Sequence, residues 1–187
     1  DEPLTSAKLM QTMGQVYYNL GLFSKSRPLL ENAAETFGRE LGKESVEYSE
    51  VLFSLADLIA TEGDLVRSEE LYLESLRIKE KKLGSEDPTL GLCLANLGWV
   101  YYARGEYDRA ISVCERAVKV IEGTQGPADK TTLANAVNNL AMAYRAARNY
   151  QKAEPLYERT VELVKNSAGT DSPEYAGGLS NYAVLCE

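Results

Sequence analysis

An all-α solenoid of stacked helix–turn–helix units is the fold this sequence predicts, and three observations predict it. The chain repeats itself: "MGQVYYNLGLFSKS" from Met13, "LADLIATEGDLVRS" from Leu55, "LGWVYYARGEYDRA" from Leu97 and "LAMAYRAARNYQKA" from Leu140 are spaced by 42, 42 and 43 residues. Within each unit apolar residues recur at helical spacing, as in Leu94, Leu97, Val100 and Tyr101. A three-residue turn divides each unit: "GLF", "GDL", "GEY", "RNY".

The elements follow in order. Each unit opens with an amphipathic first helix. Its turn carries glycine where a helix end needs a left-handed residue. The fourth turn has Arg148 and Asn149 instead, and of the two Asn tolerates that conformation better. The second helices are expected from about Ser24, Val66, Asp108 and Gln151, for four to five turns. Units join through "LGKESVEY", "LGSEDPTL", "QGPADKTT" and "AGTDSPEY", with Gly42, Gly84, Gly126 and Gly169 as C-caps. Pro88 and Pro173 then prevent the helix from continuing. The chain, 1–187, reads as one repeat domain with units at about 7–48, 49–90, 91–132 and 133–175 and a partial unit at 176–187.

One helix pair cannot bury both its apolar faces, whereas stacked neighbours can. That accounts for recurring small residues. Gly14, Ala56, Gly98 and Ala141 share a slot in the first helix. Ser26, Ser68, Ala110 and Ala153 share one in the second helix, and Ala33, Ser75, Ala117 and Thr160 another. A mid-helix glycine costs ~1 kcal/mol against alanine. Close helix contact is the compensation that makes Gly98 tolerable. Tyr17, Ile59, Tyr101 and Tyr144 fill a further slot and read as core.

Composition excludes several function classes. Net charge is −8 and the sequence pI is about 4.8, so no basic footprint for nucleic acid or an anionic membrane exists. No apolar run approaches the ~20 residues that span a bilayer. The start, "DEPLTSAKLM", has no basic flank, apolar core or initiator Met, and suggests a piece of a longer protein. Cys93, Cys114 and Cys186 are widely spaced and form no CxxC pair, which fits small helix-face residues in a reducing, cytoplasmic setting. There is no histidine, so the common nucleophile–base pairs and zinc motifs are unavailable. No enzyme, cofactor or metal site is expected.

The slots Leu94, Leu97, Gly98, Tyr101, Ala110, Cys114 and Ala117 resemble the tetratricopeptide repeat (TPR) signature. The 42-residue spacing, longer than the usual 34, resembles the kinesin-light-chain type, and the resemblance spans essentially the whole chain. It implies a right-handed superhelix with a concave groove lined by first helices, which binds peptide segments of partner proteins. In that type an "NNLA" element places an Asn that holds the backbone of an extended peptide. Here it stands as Asn138 and Asn139, with single Asn residues at Asn96 and Asn181. Thr12 and Ser54 replace it in units one and two, so the grip is expected mainly in units three to five.

Helix geometry then nominates the open face. It gives Lys8, Gln11, Thr12, Gln15, Tyr18 and Asn19 in unit one, and Glu50, Phe53, Ser54, Asp57 and Thr61 in unit two. Unit three gives Leu92, Ala95, Asn96, Trp99 and Tyr102. Unit four gives Asn135, Asn138, Asn139, Met142 and Arg145, and unit five gives Ser180, Asn181 and Val184. Phe53, Trp99, Tyr102 and Met142 are apolar where a solvated helix would be polar; packing on a neighbouring unit is the alternative. Trp99, the sole tryptophan, favours the groove, because its slot elsewhere holds Gln15, Asp57 and Met142, and core slots do not vary so. Charge on this face is mixed, unlike TPRs that clamp chaperone C-termini. Arg145 can hold one acidic ligand side chain, or stand solvated.

The reading is a protein-interaction module that binds an extended peptide or partner segment in its groove. A ligand-sensing regulatory domain of a signalling protein and a structural scaffold are the alternatives. Its partners are protein or peptide, not nucleic acid or membrane. The ending "NYAVLCE" leaves Tyr182, Val184 and Leu185 to expose apolar surface, which adds end-to-end self-association through the truncated repeat.

Overall fold

The computed structural model describes residues 2–123 and 127–184. Helices are its only regular elements among the described residues: α1 (Glu2–Asn19), α2 (Phe23–Glu40), α3 (Val46–Thr61), α4 (Leu65–Leu83), α5 (Leu90–Ala103), α6 (Tyr107–Glu122), α7 (Pro127–Ala146), α8 (Tyr150–Ala168) and α9 (Pro173–Ala183). They pair as α1–α2, α3–α4, α5–α6 and α7–α8, and α9 is the first helix of a fifth repeat. The architecture is the all-α repeat array that the sequence predicts. It falls into two compact units, α1–α4 and α5–α9. In the first, α3 packs on both α1 and α2; in the second, α7 packs on α5 and α6, and α9 on α8.

Each second helix starts one residue earlier than expected, at Phe23, Leu65, Tyr107 and Tyr150. The turn's middle residue is the N-cap. Asp64 accepts from the Arg67 backbone N–H at 3.0 Å, and Asn149 from that of Lys152 at 3.3 Å. That leaves the third turn residue inside the helix. Ser45 and Ser172 cap α3 and α9 in the same way, and Pro173, expected only to stop a helix, opens α9. Gly21, Gly63 and Gly105 sit at φ +71°, +95° and +76°. In the fourth turn Arg148 takes that left-handed position at φ +60°, and Asn149 does not. Gly126, Leu185 and Cys186 lie outside the described residues.

The small-residue slots form the contact lines. Ser26, Ser68, Ala110 and Ala153 are fully buried, as are Ala33, Ser75 and Ala117. In the first unit the hydroxyls are used. Ser26 Oγ donates to the Gly14 carbonyl at 2.7 Å and Ser68 Oγ to the Ala56 carbonyl at 2.9 Å, the same bond in successive repeats. A buried hydroxyl is tolerated because it is paired. At Gly98 a Cβ would lie 2.2 Å from Cys114 Sγ, so the helices there are closer than any side chain permits. Trp99 points elsewhere and is 40% exposed.

The first helix differs from its successors. Leu9, Met13 and Val16 are exposed on α1, while Val51, Leu55 and Leu58 in the same slots of α3 are buried. α2 packs over α3, and no described helix covers that stripe of α1. Tyr182, expected to be exposed, is instead half-buried. Its ring stacks on Tyr157 at 6.3 Å and its hydroxyl donates to Glu158 at 3.0 Å.

Candidate functional site

The second unit gathers the nominated residues of repeats three to five. On α5, Leu92, Asn96 and Trp99 are spaced four and three residues apart and so share one stripe. Leu92 and Trp99 are each 40% exposed, and Asn96 between them is half-buried. This is unusual for α5, which has no charged residue and buries nine of its fourteen. Two apolar side chains kept in water on such a helix are candidates for contact with something else. Tyr102, one turn on from Trp99, is half-buried with its ring tilted against Tyr107 at 6.0 Å.

The amides of α7 and α9 are tied to one another. Asn139 Nδ2 donates to the Ala95 carbonyl of α5 at 3.0 Å. Asn181 Nδ2, in the same slot one repeat later, donates to Asn138 Oδ1 at 3.0 Å. Ala95 and Asn138 also share a slot, so each Asn reaches back to the same position of the preceding repeat. Asn138 Nδ2 in turn donates to Met142 Sδ at 3.3 Å. The result is a ladder of side-chain amides across α5, α7 and α9. Asn139 was nominated to grip a ligand backbone; its amide nitrogen holds the preceding first helix. Ala95, also nominated for the open face, is fully buried.

Asn135 is exposed at the near end of this ladder. With Asn138 and Asn181 it lines a crevice of about 170 Å³ whose other walls include Thr160, Glu174 and Gly178. The lining combines the amides, the Thr160 hydroxyl and the Glu174 carboxylate with apolar Ala134 and Val164, and its amides can hydrogen-bond a peptide main chain. At the far end Arg145 is half-buried, and its Nε is closed to water with no hydrogen-bond partner.

The first unit holds the nominated residues of repeats one and two. Gln15 Nε2 donates to Asn19 Oδ1 at 3.2 Å on α1. Asp57 accepts the Tyr72 hydroxyl. Phe53 packs its ring on Tyr72 at 5.9 Å beneath the Lys79 ammonium at 5.4 Å. Phe53 and Asp57 therefore meet around Tyr72 as part of the repeat's own packing. Ser54 is buried, its hydroxyl turned onto the Glu50 carbonyl at 3.2 Å.

Sequence reasoning missed Tyr157. This fully buried residue of α8 has its hydroxyl closed to water beside Arg145. Burial raises its pKa, and the charge of nearby Arg145 offsets part of that. The signal was available in the repeat, since Tyr157 occupies the slot of Tyr72. Cys93 and Cys114 are buried, and burial pushes the Cys114 thiol up to about 12. No helix of the described residues is long and apolar enough to cross a membrane, and no three metal-ligating side chains gather among them.

A family model described as tetratricopeptide repeat matches residues 4–81, 51–123 and 132–187. The chain is 26% identical over 129 residues to Protein KINESIN LIGHT CHAIN-RELATED 1 of Arabidopsis thaliana, a match covering 67% of this chain. It spans only 21% of that relative's length. BtubC (BKLC) from P. vanneervenii superposes with a TM-score of 0.77 at 24% identity, over 87% of this chain and 65% of that one. A signal transduction ATPase with numerous domains and a tetratricopeptide repeat sensor, from Pyrococcus horikoshii, superposes at 0.77 with 17% identity, over 98% of this chain and 27% of that one. At these identities the structural likenesses establish the fold alone.

Proposed function

Because the chain belongs to the tetratricopeptide repeat family, whose fold generally mediates protein–protein interaction, we propose that it binds an extended peptide segment of a partner across α5, α7 and α9. One observation carries this reading. Leu92 and Trp99 stand exposed on a helix that otherwise buries its side chains, flanking Asn96 and facing the same repeat series as the amide ladder. Aromatic anchors with amides around them supply the apolar contact and the main-chain hydrogen bonds that an extended peptide needs. The role is binding, without catalysis or a cofactor. We assign the repeats to the kinesin-light-chain type on their 42-residue spacing.

Given the amide ladder, Asn139 serves this function from behind. It fixes α7 against α5, and the peptide-facing groups are Trp99, Leu92, Asn135 and Asn96. A random-peptide display selection on the 187-residue chain tests this. Selected peptides are expected to lose roughly tenfold or more in affinity on Trp99→Ala, the size of a binding hot spot. Peptides indifferent to Trp99→Ala and Asn135→Ala, or a selection that returns none, would count against it.

A second reading draws on the P. horikoshii protein, whose repeats are described as a sensor. A small-molecule sensor would use the amide crevice of about 170 Å³ beside Asn135 and leave Trp99 uninvolved. The Trp99→Ala result therefore separates the two.

A further inference from the structure

A pair of glycines shapes the crevice between α7, α8 and α9. Gly177 and Gly178 stand mid-helix in α9, and both line it. In the same two slots α5 has Leu92 and Cys93, and α7 has Asn135 and Ala136. Packing does not demand glycine at either position. A Cβ at Gly177 would meet nothing within 4 Å. One at Gly178 would make ordinary contacts with Val161 at 3.7 Å and Thr160 at 3.9 Å. Each glycine costs α9 ~1 kcal/mol of helix propensity against alanine. What the pair leaves in return is the opening itself.

The groups around that opening are mostly acceptors. Glu174 is the charged residue of the described lining, and no described side chain pairs with it. Asn181 donates its amide nitrogen to Asn138, which leaves its own Oδ1 open. Thr160 is buried and donates its hydroxyl proton to the Leu156 carbonyl at 2.9 Å, so its oxygen can only accept. Asn138 is occupied at both ends, by Asn181 and by Met142. Asn135 adds one open amide, and Ala134 and Val164 form an apolar wall. Open acceptors beside an unpaired carboxylate attract a cation and repel an anion. At about 170 Å³ the crevice is well below the ~300 Å³ at which small-molecule sites begin, and it suits a single side chain.

From this we infer that the crevice receives a basic side chain, lysine or arginine, of the bound peptide. Its methylene stem runs past the two glycines along Val164 and Ala134, and its charged head meets the Glu174 carboxylate and Asn181 Oδ1. The inference rests on the peptide-binding reading and specifies that peptide as basic at one position. The chain's net charge of −8 favours the encounter. Trp99 stands on α5 and Glu174 on α9, so the apolar and the basic anchor belong to different residues of the ligand.

Three small probes test this on the whole chain by NMR, read at the Gly177 and Gly178 backbone amides and the Asn181 side-chain amide. N-acetyllysine amide and N-acetylarginine amide carry the two basic heads, and N-acetylnorleucine amide is the uncharged control, all at constant ionic strength. The expected result is a saturable shift with one or both basic probes and none with the control. Which basic probe responds identifies the residue. Glu174→Gln keeps the shape of the side chain and removes its charge, and is expected to weaken the response roughly tenfold. Gly177→Leu installs the residue that α5 carries in that slot, where a Cβ has open space, so α9 still folds. It is expected to abolish the response by filling the crevice. Equal shifts from the control, no shift from either basic probe, or an unchanged response in either variant would overturn the inference. Display-selected peptides that bind equally well after every lysine and arginine is replaced by glutamine would also overturn it, while leaving peptide binding across α5, α7 and α9 intact.

Discussion

The side-chain amide of Asn139 donates to the backbone carbonyl of Ala95, 44 residues earlier, at 3.0 Å. The asparagine nominated from the sequence to hold a ligand backbone is here a brace between successive first helices. Asn139→Ala is expected to cost about 1 kcal/mol, because a buried carbonyl loses its donor. Urea unfolding checks the value. A variant of unchanged stability would return Asn139 to the ligand side.

Arg148 holds a left-handed backbone at φ +60° in a turn where the other three repeats use glycine. An L side chain there costs about 1–2 kcal/mol. Glycine adds unfolded-state entropy that offsets part of the relief. Arg148→Gly is therefore expected to stabilise by roughly 0.5–1 kcal/mol. A lower midpoint in thermal unfolding would show that the arginine side chain contributes more than its backbone costs.

Gly98 lies where a Cβ would come within 2.2 Å of Cys114 Sγ. Gly98→Ala is expected to destabilise by about 1–3 kcal/mol through overpacking, despite alanine's better helix propensity. Adding Cys114→Ala removes the sulfur that clashes and should recover part of the loss. A double-mutant cycle with no coupling would contradict the contact.

Cys114 has its thiol pushed from 9.0 up to about 12 by burial. The neutral form is the one the fold favours, so this contribution is complete below the unfolded value of about 9 and fades as pH rises toward 12. The buried phenols of Tyr144 and Tyr157 are raised too and act in the same direction. Thermal midpoints are expected to fall between pH 9 and pH 11, and less steeply in Cys114→Ala. At neutral pH the native chain should leave Cys114 unmodified by a thiol reagent that labels it fully in urea.

Much of the fold was legible because it depends on spacing. The interval between "LGWVYYARGEYDRA" and its counterparts fixed the helix pairs, and the turn glycines fixed where they break. Phe53 marks where that legibility ended. Its slot faced outward by geometry, yet the ring turns onto Tyr72, because Lys79 and Tyr72 offer it a better surface than water. Spacing assigns a face, and rotamers choose among partners on that face. The amides show the same limit. Asn138, Asn139 and Asn181 were found, but that they bond one another and α5 follows from side-chain reach across repeats. Arg148 was a local surprise, since a turn set by the surrounding helices imposes its backbone on whatever residue stands there. Tyr157 escaped notice because an aromatic at a core slot reads as packing until its hydroxyl is followed to its end.

Trp99 is the sole tryptophan and 40% exposed, so its emission reports directly on the face proposed to bind peptide. Titrating a display-selected peptide into the chain, with heat of binding followed in parallel, tests the central claim. The account predicts a blue shift and intensity change in Trp99 emission that saturate at the stoichiometry and affinity given by calorimetry. Calorimetric binding with Trp99 emission unchanged would contradict it and move the ligand to another face.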